Sequence, residues 1–340
     1  MKTCRIECVS RTQWLSLLSR AQQRSFFQSP QCWELYSAMS FMEPFGIAVY
    51  QEGNLEGLII GYIQKDGGKI KSYLSRRAIV NGGPLLSRDI SEEALYELLK
   101  ECLILLKGRA IYLETRNFED YSAYKDVFHK AGFKYEPHLN FHIDTSSEEI
   151  LKRNLSKSRK RNLNLSFREG VYVVDSPTAD QLKVYYQILT DLYSQKVKTP
   201  LFPYEFFAFL LKQDYAKIFL TELSGKIIGG SVCVCLQGYA MYEWFECGQN
   251  GVYKNVYPSS VATYSAAQYA SQNGFHHYDM MGAGTPDKEY GVRDFKASFG
   301  GKMVEYGRFI HIFNPVLFAI GKAGVKILKG SLFKKTAKKK

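Results

Sequence analysis

The sequence predicts a mixed α/β (α+β) protein of two tandem units, each a mixed, mostly antiparallel sheet flanked by helices. Three observations carry this expectation. Hairpin strands followed by a helix and a further strand occur twice, once in each half of the chain. A length of 340 residues suits two domains. Hydrophobic residues make up 46% and aromatic residues 14%, with 24 Tyr and 22 Phe, ample for two sheet-rich cores. The boundaries read as 1–146, 147–310 and a basic tail over 311–340.

In order, residues 1–45 read as short helical pieces around Trp14, Leu17 and Leu18 and again from Ser29-Pro30. Alternation then predicts strands over 47–50 and 58–63, joined by a Glu52-Gly53-Asn54 turn, and a third strand over 69–74. Asn81-Gly82-Gly83-Pro84 reads as a turn or an anion nest. Ser91 is an N-cap, and Leu95, Leu98, Leu99, Cys102 and Leu106 follow at helical spacing. A strand over 110–114, a helix over 124–130 capped by Gly132, and a strand over 140–144 complete the first unit. In the second unit, Ser147 caps a helix that runs into the basic segment 152–168, and a strand covers 171–174. Helices follow over 181–197 and 204–212. Strands over 216–222, 227–236 and 239–246, a helix over 259–272 and a strand over 275–280 repeat the earlier order.

The net charge of +12 is concentrated in two places. Between Ile150 and Arg168 there are seven Lys and Arg and no acid; after Glu305 there are nine and again no acid. Such patches suit phosphate-bearing partners or an anionic membrane. In one helix, Arg153, Lys157 and Lys160 would share a face beside Arg159 and Arg161, as a solvated basic surface or as a phosphate clamp. Asn314-Pro315 starts a helix whose Leu317, Ile320, Gly324 and Leu328 share a face, with Lys322, Lys326 and Lys329 elsewhere and Lys334–Lys340 behind. This fits a helix in a membrane interface, or one packed on the protein and trailed by a basic tail.

Seven cysteines form no spaced framework, and Cys233 and Cys235 alternate in an apolar strand, pointing to a core. No metal-ligand spacing occurs. The N-terminus lacks an apolar leader and no run of 18 apolar residues exists, so a cytoplasmic location with reduced thiols is expected. His276 and His277 lack spaced partners and read as structural. Asp279, at a strand end before a glycine loop, reads as a base or as a cap for that loop. In an alternating strand, Glu246 would share a face with Trp244 and Glu243 would point away, one of the two receiving a proton from an acceptor amine.

The stretch 291–302, Gly-Val-Arg-Asp-Phe-Lys-Ala-Ser-Phe-Gly-Gly-Lys, is the most distinctive. It places Arg293 and Lys296 among Phe295 and Phe299 and closes on Gly300-Gly301, a pair suited to a sharp turn or close backbone approach. It resembles the G-x-x-x-F-K-x-x-F-G-G motif of the Fem family of peptidoglycan-bridge aminoacyltransferases. Tyr278-Asp279-Met280-Met281-Gly282 is similar to that family's Y-D-F-x-G strand. Lys160-Arg161-Asn162-Leu163 with Gly170-Val171 resembles its R-x-N-I helix, and Thr199-Pro200 through Phe207 its P-x-x-P-x-x-F-F entry. The four landmarks stand in the family's order.

The resemblance implies two N-acetyltransferase-like (GNAT) units and transfer of an aminoacyl group from aminoacyl-tRNA to an amine of a lipid-linked or nucleotide-linked cell-wall precursor. It implies no metal or organic cofactor, since the ester is already activated. Lys296, with Phe295 beside it, takes the transfer-site role, and Asp279 joins them as a catalytic candidate. Arg153, Lys157, Lys160, Arg161, Arg293, Tyr257 and Glu246 are the candidate binding residues. Acyl-CoA on a sugar or lipid amine is the alternative donor. The loops 247–255 and 82–84 lack the Q/R-x-x-G-x-G/A spacing that seats a CoA pyrophosphate, which weighs toward tRNA. A monomer, peripheral on the inner face of the plasma membrane, is expected.

Overall fold

The computed structural model describes residues 1–64, 76–197, 200–288 and 290–323. The strand expected over 69–74, Thr199, and the tail residues Gly324, Lys326, Leu328, Lys329 and Lys334–Lys340 lie outside the described residues. The chain forms two compact units, one from Met1–Pro137 with the chain from Tyr306 on, the other His138–Glu305.

The first unit opens with β1 (Lys2–Arg5), α1 (Arg11–Arg20) and α2 (Pro30–Ala38). Ser10 and Ser29 cap the two helices through the amides of Gln13 and Cys32, and Pro30 occupies the first helical turn. β2 (Met42–Gln51), β3 (Asn54–Gln64), β4 (Arg77–Asn81) and β5 (Leu85–Leu86) follow. Then come α3 (Glu92–Leu106), β6 (Tyr112–Arg116), α4 (Lys125–Lys130) and β7 (Lys134–Glu136). The leucine stripe of α3 and Cys102 pack on β2, β3, β4 and β6 to make the core. Asn81-Gly82-Gly83-Pro84 is not an anion nest. Its carbonyl oxygens accept from Gln28 Nε2 and from Tyr121 Oη, and the Gly82 amide continues the ladder to the Arg116 carbonyl.

The second unit runs β8 (Leu139–Asp144), α5 (Glu148–Asn154), α6 (Lys157–Arg168), β9 (Tyr172–Val174), α7 (Ala179–Leu192) and α8 (Tyr204–Leu210). It continues with β10 (Ala216–Leu223), β11 (Lys226–Leu236), β12 (Ala240–Gly248), α9 (Pro258–Gln272), β13 (His277–Gly282), α10 (Gly291–Ala297) and β14 (Lys302–Glu305). Finally β15 (Arg308–Ile312) returns to the first sheet. α9 is buried along most of its length, its alanines packing beneath β10–β13 beside Cys233, Cys235 and Met241.

The described sheet orders are β1-β2-β3-β4-β6-β15-β7, with β5 on β3, and β14-β8-β13-β12-β11-β10-β9. One pair in each sheet is parallel, β4 with β6 and β12 with β13; the other described pairs are antiparallel. The division falls at Pro137 rather than at residue 146 for a topological reason. Leu139–Asp144, which the order of elements assigns to the first unit, pairs with β13 and β14. The equivalent place in the first sheet, beside β6 and β7, is filled by β15. The first sheet therefore completes itself with a strand from the far end of the chain, while the second is built from one continuous run.

β15 sets Arg308 directly opposite Arg116 on β6, a like-charge pair that opposes strand pairing. Glu114, buried and two residues before Arg116, bridges them: Arg116 Nε donates to its Oε1 at 3.1 Å, and Arg308 Nη1 donates to the same oxygen. Burial raises the Glu114 pKa, but Arg116 and Arg308 outweigh it and hold the carboxyl at about 2. A carboxylate depressed in the folded state contributes stability above its unfolded pKa, and this stability is lost as pH falls from about 4.5 toward 2. Glu114→Gln leaves two half-buried guanidiniums face to face and is expected to destabilise the first unit by roughly 2 kcal/mol at pH 7. Urea titrations at pH 7 and pH 3 check this; the variant should show the smaller loss on acidification.

The chain beyond β15 is helical over residues 315–323, with Asn314 accepting the Leu317 amide as its cap. Phe318 packs edge-on against Tyr112, while Val316 and Ile320 are exposed.

Candidate active site

The two parallel strand pairs behave differently. β4 and β6 are paired over the whole of β4, from Arg77 with Tyr112 to Asn81 with Arg116. β12 and β13 pair only from Ala240 with His277 to Tyr242 with Asp279, although β12 continues to Gly248 and β13 to Gly282. Both strands are irregular beyond the last pair. On β12, Cys233 faces Glu243 and Val232 faces Phe245, so Trp244 is a bulge residue. On β13 the register slips between Asp279 and Gly282, with Met281 in the left-handed region at φ 57°. The strands separate there, and the second unit has an opening in its sheet that β4 and β6 lack.

The bulge corrects the alternation expected for β12. Ser231 and Cys233 share a face of β11, and their partners are Glu246 and Glu243. Both carboxylates therefore lie on one face, and Glu246 does not keep company with Trp244 there. Trp244 packs instead against Phe202 and Phe206. Glu243 is buried and accepts from Thr263 Oγ1 at 2.7 Å and Ser231 Oγ at 3.0 Å. Burial pushes its pKa upward. Burial, and then the charge of Glu243, raise Glu246 to about 7. Glu246 Oε1 is buried and has no hydrogen-bond partner among the described residues.

Lys296 enters from the β13 side. It lies in α10, not in an open turn, and is only 9% exposed. Its Nζ donates to the carbonyl oxygens of Met280, of Met281 at 3.2 Å and of Gly282 at 2.9 Å. These are the carbonyls of the bulged end of β13, and an ammonium has three protons, so all its donors are used. Burial lowers its pKa, opposed by the charges of Glu243, Asp279 and Glu246. The structure thus gathers Lys296, Glu243 and Glu246 at the opening.

Asp279 is fully buried and its Oδ1 accepts the Met281 amide at 2.6 Å, which holds Met281 in its left-handed conformation. Its Oδ2 lies 3.4 Å from His142 Nε2, and His142 stacks on His277. The bond of Oδ1 fits the role of capping the loop, while Oδ2 is buried and accepts no hydrogen bond among the described residues. Burial drives His277 down to about 4, so it is neutral near pH 7. Arg293 holds the following loop, donating to the carbonyls of Thr285 at 2.7 Å and Ala283 at 3.3 Å. Tyr257, half-buried, is the residue before α9, and its amide donates to Ser166 Oγ at 2.9 Å.

The basic segment is not one helix. α5 ends at Asn154 and α6 starts at Lys157, with Ser156 as its cap through the Arg159 amide. Arg153 therefore stands on a different helix from Lys157 and Lys160, although Lys160 Nζ reaches back to the Arg153 carbonyl at 3.1 Å. Arg153, Lys157, Lys160 and Arg161 are exposed, and among the described residues none bonds to the Lys296 cluster. Arg159 does what its neighbours do not. It is 7% exposed and its guanidinium lies against the rings of Phe295 and Phe299, 4.5 and 4.3 Å from their centroids, while the two rings meet each other edge-on at 5.2 Å. Helical spacing carries the signal, since Arg159, Leu163 and Ser166 form the buried stripe of α6 and Arg159 is its one cation.

Comparison with known proteins bears out the resemblance at this point. Residues 213–324 match the FemAB family. The matched region spans β10 to the helix after β15 and holds Glu243, Glu246, Lys296 and the opening between β12 and β13. No curated protein sequence matches the chain. Among solved structures the chain resembles FemX, at 14% identity and a TM-score of 0.71 over 94% of this chain and 99% of that one. It also resembles a tandem GNAT protein from the clavulanic acid biosynthesis pathway, at 10% identity and a TM-score of 0.58 over 92% and 99%. A third is the L-PGS from Bacillus licheniformis, at 13% identity and a TM-score of 0.56 over 92% and 96%. These likenesses establish a tandem GNAT fold.

Gly300-Gly301 makes the close approach that its composition suggests. Gly300 has φ 77°, and a Cβ there would meet the Asn154 carbonyl oxygen at 2.2 Å. One turn earlier, the Ser156 amide donates to the Ser298 carbonyl at 2.9 Å, tying the end of α10 to the break between α5 and α6. Gly300→Ala is expected to cost roughly 2 kcal/mol or more from strain and clash together. Chemical denaturation of the variant measures this; Gly291→Ala, with open space around it, is the control.

Proposed function

We propose that the protein is an acyltransferase that forms an amide at the β12–β13 opening, moving an aminoacyl group from aminoacyl-tRNA to an amine of a cell-wall precursor. The observation that carries the reading is the unpartnered Glu246 Oε1 within the electrostatic reach of a buried Lys296, in a region that matches the FemAB family. The acceptor amine attacks the ester carbonyl carbon, a C–N bond forms, and the C–O bond to the ribose breaks. The amine proton passes to Glu246, which is half ionised near pH 7 and so suited to accept it. The ribose oxygen leaves and takes up the proton that Glu246 received, which returns Glu246 to its ionised form. Lys296 contributes charge rather than a free hydrogen bond, because its three protons are already given to carbonyls. A fixed cation in a dry site stabilises the oxyanion and the leaving oxygen by about 3 kcal/mol.

The exposed Arg153, Lys157, Lys160 and Arg161 are assigned to donor or acceptor phosphates, and the basic tail to peripheral attachment at an anionic membrane surface. Among the described residues no helix is long and apolar enough to cross a membrane. Co-sedimentation with anionic but not zwitterionic vesicles, abolished by removing residues 324–340, is the expected result for the tail.

Purified protein with membranes, given labelled aminoacyl-tRNA or labelled acetyl-CoA with and without RNase, tests the donor. RNase-sensitive label in a lipid-linked product supports the reading; RNase-resistant transfer from acetyl-CoA places the protein among N-acyltransferases instead. Lys296→Ala is expected to lower kcat by about 100-fold. In the wild type, kcat/KM rises with pH through about 7 as Glu246 loses its proton. Glu246→Gln should lower the rate by about 100-fold and remove that limb; an unchanged profile would eliminate Glu246 as the base.

A further inference from the structure

α10 is too short to hold its own position. It has seven residues, two turns, and no side-chain cap at its start. Its placement depends on what grips it from outside, and Arg159 provides the densest set of bonds. Arg159 Nε and Nη2 donate to Ser298 Oγ at 3.0 and 2.7 Å, Nη2 reaches the Phe295 carbonyl at 3.4 Å, and the guanidinium lies against both phenyl rings. The remaining arm, Nη1, donates to Ser260 Oγ in the first turn of α9. That turn is itself tied to the end of β12. Asn250 Nδ2 donates to Ser259 Oγ at 2.7 Å, and a Cβ on Gly248 would meet the Ser259 amide nitrogen at 2.7 Å. Gly248 is two residues past Glu246, and Phe295 immediately precedes Lys296.

We propose that Arg159 is the positioning residue of the site, setting the distance between Lys296 and Glu246 by joining the helix that carries one to the turn that follows the other. This rests on the amide-forming reading for its consequence in catalysis, though not for its consequence in structure. The guanidinium is not itself a ligand site, because each of its three nitrogens is bonded within the protein. Nor is it half of an ion pair: among the described residues no carboxylate lies within ion-pair distance. A flat fork that packs against two rings while donating from both edges is a task for arginine, and lysine cannot reproduce it. Burial lowers the Arg159 pKa to about 10, so it stays charged near pH 7, and its charge favours the ionised form of Glu246.

Arg159→Lys and Arg159→Gln test the proposal with two readouts. The first needs no substrate. Lysines are labelled with an N-hydroxysuccinimide ester and thiols with a maleimide, both in the folded protein, and labelling is read by mass spectrometry. Lys296 should be shielded in the wild type and about tenfold more reactive in both variants relative to exposed Lys160. Buried Cys233 and Cys247 should stay unreactive. Unchanged Lys296 labelling, or a rise matched by Cys233 and Cys247, would overturn the proposal, the second result marking Arg159 as a fold-stabilising residue only. The second readout is transfer. Both variants should lose at least tenfold in kcat with little change in KM for the donor, and Arg159→Gln should move the acidic limb of the pH profile upward. Wild-type kcat in Arg159→Lys would equally overturn the proposal. If the wild type transfers from neither donor, the amide-forming reading fails, and the labelling result still decides whether Arg159 positions Lys296.

Discussion

The second unit depends on one buried ammonium. Lys296 gives its three protons to three consecutive carbonyls at the end of β13, where the strand has stopped pairing with β12. Carbonyls in a sheet interior ordinarily face a neighbouring strand, and leaving them bare is costly. The lysine satisfies them without requiring a strand there, so the sheet can stay open. The same arrangement makes burial of the cation tolerable, since the carbonyl dipoles and the charges of Glu243, Asp279 and Glu246 offset the loss of water. Opening, cation and carboxylates are therefore one feature: remove the lysine and the carbonyls lose their partners.

The first unit shows what the same order of elements does without that feature. β4 and β6 run in register to Asn81 and Arg116, and the Gly82 amide adds a further bond in the same direction. Gln28 and Tyr121 then occupy the carbonyls of the glycine turn. The corresponding strands are zipped where the second unit's are parted. Two bulges, at Trp244 and at Met280-Met281, account for the difference. The repeated scaffold is a matter of hydrophobic periodicity; the site is a matter of where that periodicity is broken.

This explains which parts were legible in the sequence. Elements with a clear period and a cap, such as α3 behind Ser91 and the β10–β11 hairpin, stand close to where their residues indicate. The partner of a strand is another matter. Nothing in Leu139–Asp144 distinguishes pairing with β13 from pairing with β6, because an apolar strand carries no address, so the boundary drawn from element order falls nine residues late. The bulge at Trp244 was likewise invisible, and one extra residue moved Glu246 to the other face. In the basic segment, counting charges favoured Lys157, Lys160 and Arg161, whereas helical phase singles out Arg159. The four-landmark resemblance singles out Lys296 as a candidate, but says nothing of its three carbonyl partners.

The two carboxylates at the opening divide their tasks by hydrogen bonding. Burial raises both, and at 6% exposure Glu243 is well withdrawn from water. Glu243, however, accepts from Ser231 and Thr263, and each such bond stabilises its charged form. Glu246 has an oxygen with no donor, and it bears the repulsion of Glu243. Burial and the Glu243 charge outweigh the bond that Ser259 gives Glu246, and leave this carboxyl raised to about 7. A carboxyl in this state titrates near pH 7 and keeps one oxygen bare, which is what the proposed role as base toward an acceptor amine requires. On that proposal Glu243 acts without touching a substrate: its charge raises the Glu246 carboxyl, and its bonds to Ser231 on β11 and Thr263 on α9 hold it in place.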